Sequence, residues 1–499
     1  MSTFSQNVQK VKDAFEKTKT ALVKRGVTIP EDAKLSDVPN LVESVKNVSM
    51  CLITRTDPDG YDYCVESTIS GPVYLANRCL NDTKADTIII DFSTLPSGEA
   101  PTVASIEHMF DGCASLVEVH FYNTDVAVWD DVTSMSSLFR GCSSLNEADI
   151  DSISACYVAD VSYMCSGCAS LESFSADGVY SGSSDVTPAI TNCSHMFEGC
   201  QSLVDVSLTS ESYITVTDCS YMFSGCTSLP YAPIPMLGES VESEPINAVS
   251  MYADCSSIEE VVFDPGACKM LGNAESMFNG CSSLRSIVLP EYWGMAIGNA
   301  ASMLSRCSSL ETLDIPDYCG VAMYNSDYMF DGCSKLSALT FGKGFGQSIE
   351  KARYMFRGCS SLTDLTFPEA NTSGDFETAD FGVMITDSEG MFWQCSNLTT
   401  ITLPKTFGAK ITNSKDMFYF CSSLENVTSP FEMHVSLSFV TCTKLTAASI
   451  KNILASLKAP DSSDPKPTLK LSGASYKIYE SLDDPYKAEA LANGWTITQ

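Results

Sequence analysis

The chain has 499 residues, 44% of them hydrophobic, and carries a formal net charge of −32 at pH 7. That charge argues against a nucleic-acid binder, which needs a basic face to displace counterions from phosphates, and against adhesion to anionic lipid. No stretch approaches the roughly 20 apolar residues that cross a bilayer. We therefore expect neither nucleic-acid binding nor membrane insertion.

Residues 1–49 are predicted to form a helical attachment and oligomerisation segment, with helices over residues 4–25 and from Ser36 to Val45. The apolar stripe of the first helix consists of Val8, Val11, Phe15, Thr18 and Leu22. It must pack on the first turn of the stack of repeats, on copies of itself or on another protein, and the sequence leaves these three open. The segment lacks the features of a secretory signal, so we expect synthesis in a cytoplasm without export.

Residues 50–105 contain two strand-like runs, CLITRT and TIIIDFS, but no full copy of the motif that follows them. Repeat proteins cover the open end of their stack with an atypical first turn. This region is therefore predicted to be an N-terminal cap.

A motif of the form Met-aromatic-x-Gly-Cys-x-x-Leu returns twelve times in residues 106–445. Its cysteines are Cys113, Cys142, Cys168, Cys200, Cys226, Cys255, Cys281, Cys307, Cys333, Cys359, Cys395 and Cys421. The commonest interval between them is 26 residues, and the others are 29, 32 or 36. Such a period predicts stacked turns, with the cysteines forming a ladder of free, buried thiols. Cys193 and Cys219, each seven residues before a ladder cysteine, are expected to be interior as well.

Residues 290–315 show the internal organisation predicted for one repeat. The run WGMAI reads as a short strand, Asn299-Ala300 as a bend, and Met303 to Ser305 as a helical or 3₁₀ turn. The spacing of Leu310, Leu313 and Ile315 predicts a second strand with alternate side chains inward. Glycine precedes the motif cysteine in eight copies, which predicts a positive φ. The fold class is therefore a β-rich solenoid with two short strands and a helical turn per repeat.

Residues 446–499 are predicted to be an α+β C-terminal cap. TAASIKNILASL reads as a helix with Thr446 as N-cap, followed by the strand TLKLSG, a helix from Tyr476 to Asn493 and a closing strand in GWTITQ. Longer loops interrupt the repeats between Cys168 and Cys200 and between Cys359 and Cys395. Such insertions often lie on a binding face, although they are also tolerated without any function.

No residue pattern indicates catalysis. The four histidines are scattered, and His108 and His195 each precede the methionine of a repeat, at a variable position expected to be exposed. Cys165 and Cys168 form a lone CxxC, and Asp57 to Asp62 departs from the calcium-loop spacing. We predict no catalytic residue, no metal site and no cofactor.

The repeats resemble the BspA-like bacterial leucine-rich repeats, which occur in surface antigens of Bacteroidetes, mycoplasmas and some protists. Three copies carry the resemblance most closely: MFNGCSSLRSIVL (277–289), MFDGCSKLSALTF (329–341) and MFRGCSSLTDLTF (355–367). The resemblance covers some 340 residues and implies a leucine-rich-repeat solenoid without enzymatic activity. The ending ALANGWTIT is similar to the closing segment of such proteins from gut Bacteroidetes and their phages.

The run ALVKRGVTIPEDAKLSDVPNLVESV is similar to N-terminal attachment segments of bacteriophage tail-fibre and appendage proteins. This resemblance implies a virion structural protein that docks to other virion proteins through residues 1–49 and contacts a host surface protein or glycan. By analogy with fibres, a homotrimer is expected. The alternatives are a bacterial cell-surface adhesin and an intracellular interaction scaffold. For partner contacts the sequence nominates side chains on the two insertions that are expected to be exposed: Tyr180, Asp375, Phe376 and Phe381.

Overall fold

The computed structural model describes residues 105–499 apart from 123, 125–128, 130–131, 151–152, 154–156, 176–189, 208–215, 234–243, 266, 371–377 and 461–465. Before residue 105 it describes five strands. The chain divides into two compact units, the first comprising residues 1–160, 173–188 and 207–212 and the second 161–172, 189–206 and 213–499. The helices predicted at residues 4–25 and 36–45 lie outside the described residues.

The described part of the first unit contains eight strands. They are β1 (Val48–Thr56), β2 (Asp62–Ser70), β3 (Val73–Tyr74), β4 (Thr87–Asp91), β5 (Val103–Ser105), β6 (Glu118–Tyr122), β7 (Glu147–Asp149) and β8 (Ser173–Ser175). Of these, β1, β2 and β4 are rich in β-branched residues. Strand β1 pairs antiparallel with β2 and β4, whereas β4 pairs parallel with β6, and β7 with β8. The two strand-like runs of the sequence are confirmed as β1 and β4. The parallel pairs mark the change to repeat stacking.

In the second unit, a short parallel strand follows most motif copies, and its pairing advances by one repeat. The strands from here to the C-terminal cap are β9 (Asp205–Ser207), β10 (Ile246–Asn247), β11 (Glu260–Val262), β12 (Leu271–Asn273), β13 (Ser286–Val288), β14 (Thr312–Ile315), β15 (Ala338–Phe341), β16 (Asp364–Thr366), β17 (Thr400–Thr402), β18 (Asn426–Val427) and β19 (Leu437–Phe439). In β14 and β15, for example, Leu313 pairs with Leu339 and Ile315 with Phe341. Strands β10 and β12, by contrast, precede a motif. The predicted strand after the motif is confirmed.

The motif itself forms a tight turn whose amide groups bond to the next turn. In the turn that ends at Cys333, the N–H of Phe330 donates to the Met355 carbonyl at 2.8 Å, and that of Gly332 donates to the Arg357 carbonyl at 2.7 Å. This arrangement requires the left-handed region at two positions, so Tyr328 has φ 59° and Gly332 has φ 75°. The predicted positive φ of the glycine is confirmed.

Motif side chains form buried columns that run through successive turns of the second unit. The rings of Phe330 and Phe356 stack at 5.3 Å, those of Phe356 and Phe392 at 5.6 Å, and those of Phe392 and Phe418 at 5.2 Å. All twelve motif cysteines, and also Cys193 and Cys219, are buried. A fully buried Leu, Met or Phe contributes about 1.5–3 kcal/mol, so the repetition of four such positions supplies most of the apolar driving force.

The predicted strand at WGMAI is wrong. Trp293 to Ile297 lie largely in a turn, in which the Ile297 N–H donates to the Gly294 carbonyl at 3.1 Å and Gly294 has φ 64°. The same pattern of a large residue, Gly, two residues and an aliphatic residue recurs as FGQSI from Phe345 and FGAKI from Phe407. It is a second turn motif, with buried residues four apart rather than two apart as in a strand. Opposite the motif strands, successive turns are joined mainly by single bridges such as Asn273 to Asn299 and Asn299 to Asn325.

The C-terminal cap contains α1 (Ala447–Ser456), β20 (Thr468–Leu471), α2 (Gly473–Ser481), α3 (Pro485–Ala492) and β21 (Thr496–Thr498). The Thr446 side chain accepts from the Ser449 N–H, so its predicted role as N-cap is confirmed. The helix predicted from Tyr476 to Asn493 is in fact two helices. It breaks because Pro485 opens α3 with Asp484 as N-cap, and proline does not continue a preceding helix. Strand β20 pairs parallel with both β19 and β21.

None of the helices in the described part of the chain is both long and apolar enough to span a bilayer.

Candidate recognition surface

The motif cysteines are structural rather than reactive. The Cys359 Sγ donates to the Phe330 carbonyl one turn away at 3.1 Å, and the Cys395 Sγ donates to the Phe356 carbonyl at the same distance. Burial raises the pKa of the Cys395 thiol to about 12, so the thiolate that nucleophilic chemistry or metal binding requires is not formed near neutral pH.

His195 is held in place by its neighbours. His195 stacks between Tyr163 and Tyr221 at 4.4 and 4.7 Å, and its Nδ1 lies 2.8 Å from Glu198. Its side chain is 22% exposed, and is therefore more enclosed than the sequence indicated. Within the residues that the structure describes, no group of three or more His, Cys, Asp or Glu side chains could hold a metal ion.

The outward side chains of the last four motif copies form a continuous line that we call the aromatic ridge. Its members are Tyr328, Tyr354, Arg357, Trp393, Tyr419 and Phe420. They occupy three motif positions: the residue before the methionine, the variable residue, and the residue before the cysteine. Phe420 is 46% exposed, and the others are partly exposed.

The ridge side chains contact one another along its length. Tyr328 stacks on Tyr354 at 5.2 Å, and the Arg357 guanidinium lies 5.4 Å from the centroid of each ring. Trp393 then lies 5.8 Å from Tyr354 and 5.4 Å from Tyr419. Tyr419 contacts Phe420 at 4.4 Å. Because each ring is held by its neighbours, little side-chain entropy remains to be lost when a partner binds.

The charges beneath the ridge are paired within the protein. Arg357 binds Asp331 through two hydrogen bonds of 2.6 Å each, and these bonds raise the pKa of the guanidinium. The Tyr354 hydroxyl donates to Glu389 at 3.1 Å. Burial opposes ionisation of Glu389, but hydrogen bonds from Tyr354 and Asn413 and the nearby cations lower its pKa overall. The ridge therefore offers mainly aromatic surface on a fixed ionic base.

A shallow groove of about 420 Å³ lies beside the end of the ridge. Its lining includes Gly358, Gln394 and Phe420, which precede three successive motif cysteines, and the serines Ser360, Ser396 and Ser422 that follow those cysteines. Gln394 and Phe420 have φ 62° and 61° where eight other copies carry glycine. A side chain in this conformation costs about 1–2 kcal/mol, so the substitutions are not explained by stability.

The side chains nominated from the sequence do not form this surface. Phe381 was expected to be an exposed contact and is fully buried, with its ring 4.0 Å from Phe367 and 6.1 Å from Phe407. It is the large residue of the second turn motif, so its burial has the same cause as that of Phe407. Tyr180, Asp375 and Phe376 lie outside the described residues. The ridge was missed because its residues were treated as variable positions of the repeat. A signal for it was the aromatic or amide side chain in place of glycine before Cys395 and Cys421, although glycine is also absent before Cys255 and Cys307 outside the ridge.

A family model of the BspA type leucine-rich repeat region matches residues 188–300, 248–376 and 384–459, which together exceed half of the chain. The chain belongs to the BspA-type leucine-rich repeat family. Within this BspA-type protein, residues 104–234 also match a family described as a Mycoplasma protein of unknown function, DUF285. The resemblance found in the motif copies is thereby confirmed, and the ridge lies within the matched repeats.

No curated protein matches the BspA-type chain. Among solved structures, one titled "Crystal structure of TLR13-ssRNA13 complex" aligns at 13% identity with a TM-score of 0.22. The alignment covers 78% of this chain and 58% of the other. So weak a likeness carries no argument about ligands.

Proposed function

We propose that this protein is a non-enzymatic attachment protein that binds a surface protein or glycan through the aromatic ridge. The observation that carries the proposal is the continuous contact from Tyr328 to Phe420 along one line of outward motif positions. Leucine-rich repeats of this kind serve as interaction scaffolds, and contiguous, fixed aromatic and arginine side chains are the residues that dominate binding energies.

Two kinds of protein fit this attachment function. A bacterial cell-surface adhesin is favoured by the BspA-type repeats and the Mycoplasma family match. A phage fibre or appendage subunit, docked through residues 1–49 and trimeric by analogy with fibres, is favoured by the N-terminal resemblance alone. In either kind of protein, several copies displayed together would convert weak single contacts into firm attachment.

The test of the ridge measures binding of the full-length protein to envelope preparations of gut Bacteroidetes. We expect the double variant Trp393→Ala/Phe420→Ala to bind at least about tenfold more weakly, since truncation of central aromatic contacts typically has this effect. Tyr324→Ala is the matched control, because Tyr324 is 48% exposed and lies outside the ridge. Equal binding by the double variant and the unmodified protein would exclude the ridge as the contact surface.

Deletion of residues 1–49 distinguishes a virion subunit from a cell-surface adhesin. If the protein is a virion subunit, the deletion abolishes its incorporation into particles while envelope binding by the ridge persists. Incorporation of the deleted chain would count against the docking role of this segment.

A further inference from the structure

A second cleft lies in the second unit, where the last repeat meets the C-terminal cap. It has a volume of about 770 Å³ and is bounded by the turn at residues 410–416, the segment 434–438 and strand β20. We call it the cap cleft. It shares no residue with the ridge, and no motif predicted it.

The cap cleft gathers positive charge in a strongly acidic protein. Lys410, Lys415 and Lys470 line it, against the single carboxylate of Asp416. The Lys415 ammonium lies 3.5 Å from Glu389, and both Lys415 and Lys410 are exposed. The chain carries 30 basic and 62 acidic residues, so three lysines on one cleft with one acid depart from the general composition. Most of the surface repels anions, whereas this cleft attracts them.

The backbone hydrogen bonds that join each motif turn to the next form a ladder, and this ladder ends at the cleft. In the preceding turn, the Ser388 N–H donates to the Asn413 carbonyl and the Gly390 N–H to the Lys415 carbonyl, both at 2.9 Å. The equivalent amides of the last turn belong to Ser414 and Asp416, which both line the cleft. The chain that follows lacks the motif, and neither amide has an acceptor among the described residues.

His434 also lines the cleft but is already engaged. Its Nδ1 lies 2.7 Å from the Ala459 carbonyl and its Nε2 lies 3.2 Å from Glu432. The side chain of Ser414 is likewise bonded to the Ser436 carbonyl. The donors that line the cleft are therefore the two backbone amides and the lysine ammonium groups, of which that of Lys415 also pairs with Glu389 and that of Lys410 also contacts the Met384 sulfur.

We propose that the cap cleft is a binding site for an anionic group, the carboxylate, sulfate or phosphate of an acidic ligand. Backbone N–H groups beside cationic side chains are an arrangement that proteins use to hold such groups. An anion bound there would accept charge-assisted hydrogen bonds from these amides and from the ammonium groups. Residues 436–442 continue the stack after the last motif copy, with the Phe439 ring 4.7 Å from Phe418, but they do not accept hydrogen bonds from these two amides.

The experiment titrates the full-length protein with inorganic sulfate, inorganic phosphate and glucuronate, with affinity measured by calorimetry at low ionic strength. We expect millimolar or tighter binding of at least one probe, and about tenfold or greater weakening in Lys410→Gln/Lys415→Gln/Lys470→Gln. Binding of all three probes assigns a general anion site, and binding of glucuronate alone assigns the carboxylate of an acidic sugar.

The matched control is Lys335→Gln/Lys343→Gln/Lys444→Gln, which makes the same change in net charge at exposed lysines outside the cleft. It should bind the probes within about twofold of the unmodified protein. Equal loss in both triple variants, or no binding of any probe at concentrations up to about 20 mM, overturns the proposal. Trp393→Ala/Phe420→Ala should retain anion binding, so failure of the ridge and failure of the cleft are distinguishable.

Discussion

Two stretches of the second unit share one backbone plan and differ in what they present to solvent. In the serine stretch, the left-handed residue before each motif methionine is Ser250, Ser276 or Ser302, whereas in the aromatic ridge the same position holds Tyr328 and Tyr354. The buried methionines, rings and cysteines beneath both stretches are equivalent. This difference indicates that the buried columns maintain the fold, whereas the outward positions can vary without disrupting it and can therefore serve a function.

The largest effect is expected from substitutions that disrupt the buried columns, and it should appear in both stretches. Phe278 and Phe356 occupy the same column under the serine stretch and the ridge, and both are buried. We expect Phe278→Ala and Phe356→Ala each to lower the free energy of unfolding by about 3–5 kcal/mol, measured by denaturant titration. Phe356 has more ring neighbours, among them Phe341 and Phe367, so its loss should be about 1 kcal/mol greater.

Phe278→Leu is the control for this prediction, because Leu304 fills the same column in the natural sequence. It should cost no more than about 1.5 kcal/mol. A loss below about 1 kcal/mol in either alanine variant would contradict the view that the columns hold the turns together.

A smaller effect compares two arginines, one in each stretch. Arg357 of the ridge makes two hydrogen bonds to Asp331, whose side chain is only 12% exposed, and it covers two tyrosine rings. Arg306 contacts Asp254 at 3.3 Å with both side chains more than 60% exposed. We expect Arg357→Gln to cost about 1 kcal/mol of unfolding free energy, after allowance for solvent screening, and Arg306→Gln less than about 0.5 kcal/mol. Equal costs would show that the ionic base of the ridge adds no stability.

The smallest effect is a pH dependence that belongs to the ridge. The folded-state pKa of Glu389 is lowered, so its ionised form stabilises the fold above the unfolded-state value of about 4.3, and this stabilisation is lost as the pH falls through the lower folded-state value. We expect Glu389→Gln to remove this contribution, so that thermal unfolding followed from pH 6 down to pH 3 declines less steeply than in the unmodified protein. An unchanged slope would contradict the assigned shift. Tyr354→Phe should change the pH dependence less than Glu389→Gln, because it removes only one hydrogen-bond donor to Glu389.

The buried columns were predictable because they are local and repeated. Met355, Phe356, Cys359 and Leu362 follow one another at motif spacing, and each sees the same residue type one turn away, so the period alone indicates where they point. The strand after the motif was predictable for the same reason, and the Thr446 N-cap was predictable from its local sequence. The run WGMAI and Phe381 were assigned wrongly because the second turn motif varies in its large residue, with Trp293, Cys319, Phe345, Phe381 and Phe407 at equivalent places.

The amino-acid sequence by itself determined that this protein is a stack of BspA-type turns with a thioether, ring and thiol column inside, since apolar side chains at a fixed period can be buried only by stacking. Only the tertiary structure decided which outward residues meet. Tyr328 and Phe420 are 92 positions apart and are joined through intermediate rings, and the cap cleft combines Lys410 with Lys470. Such contacts depend on how far each turn advances and on where the hydrogen-bond ladder ends, which are properties of the packed chain rather than of any local pattern.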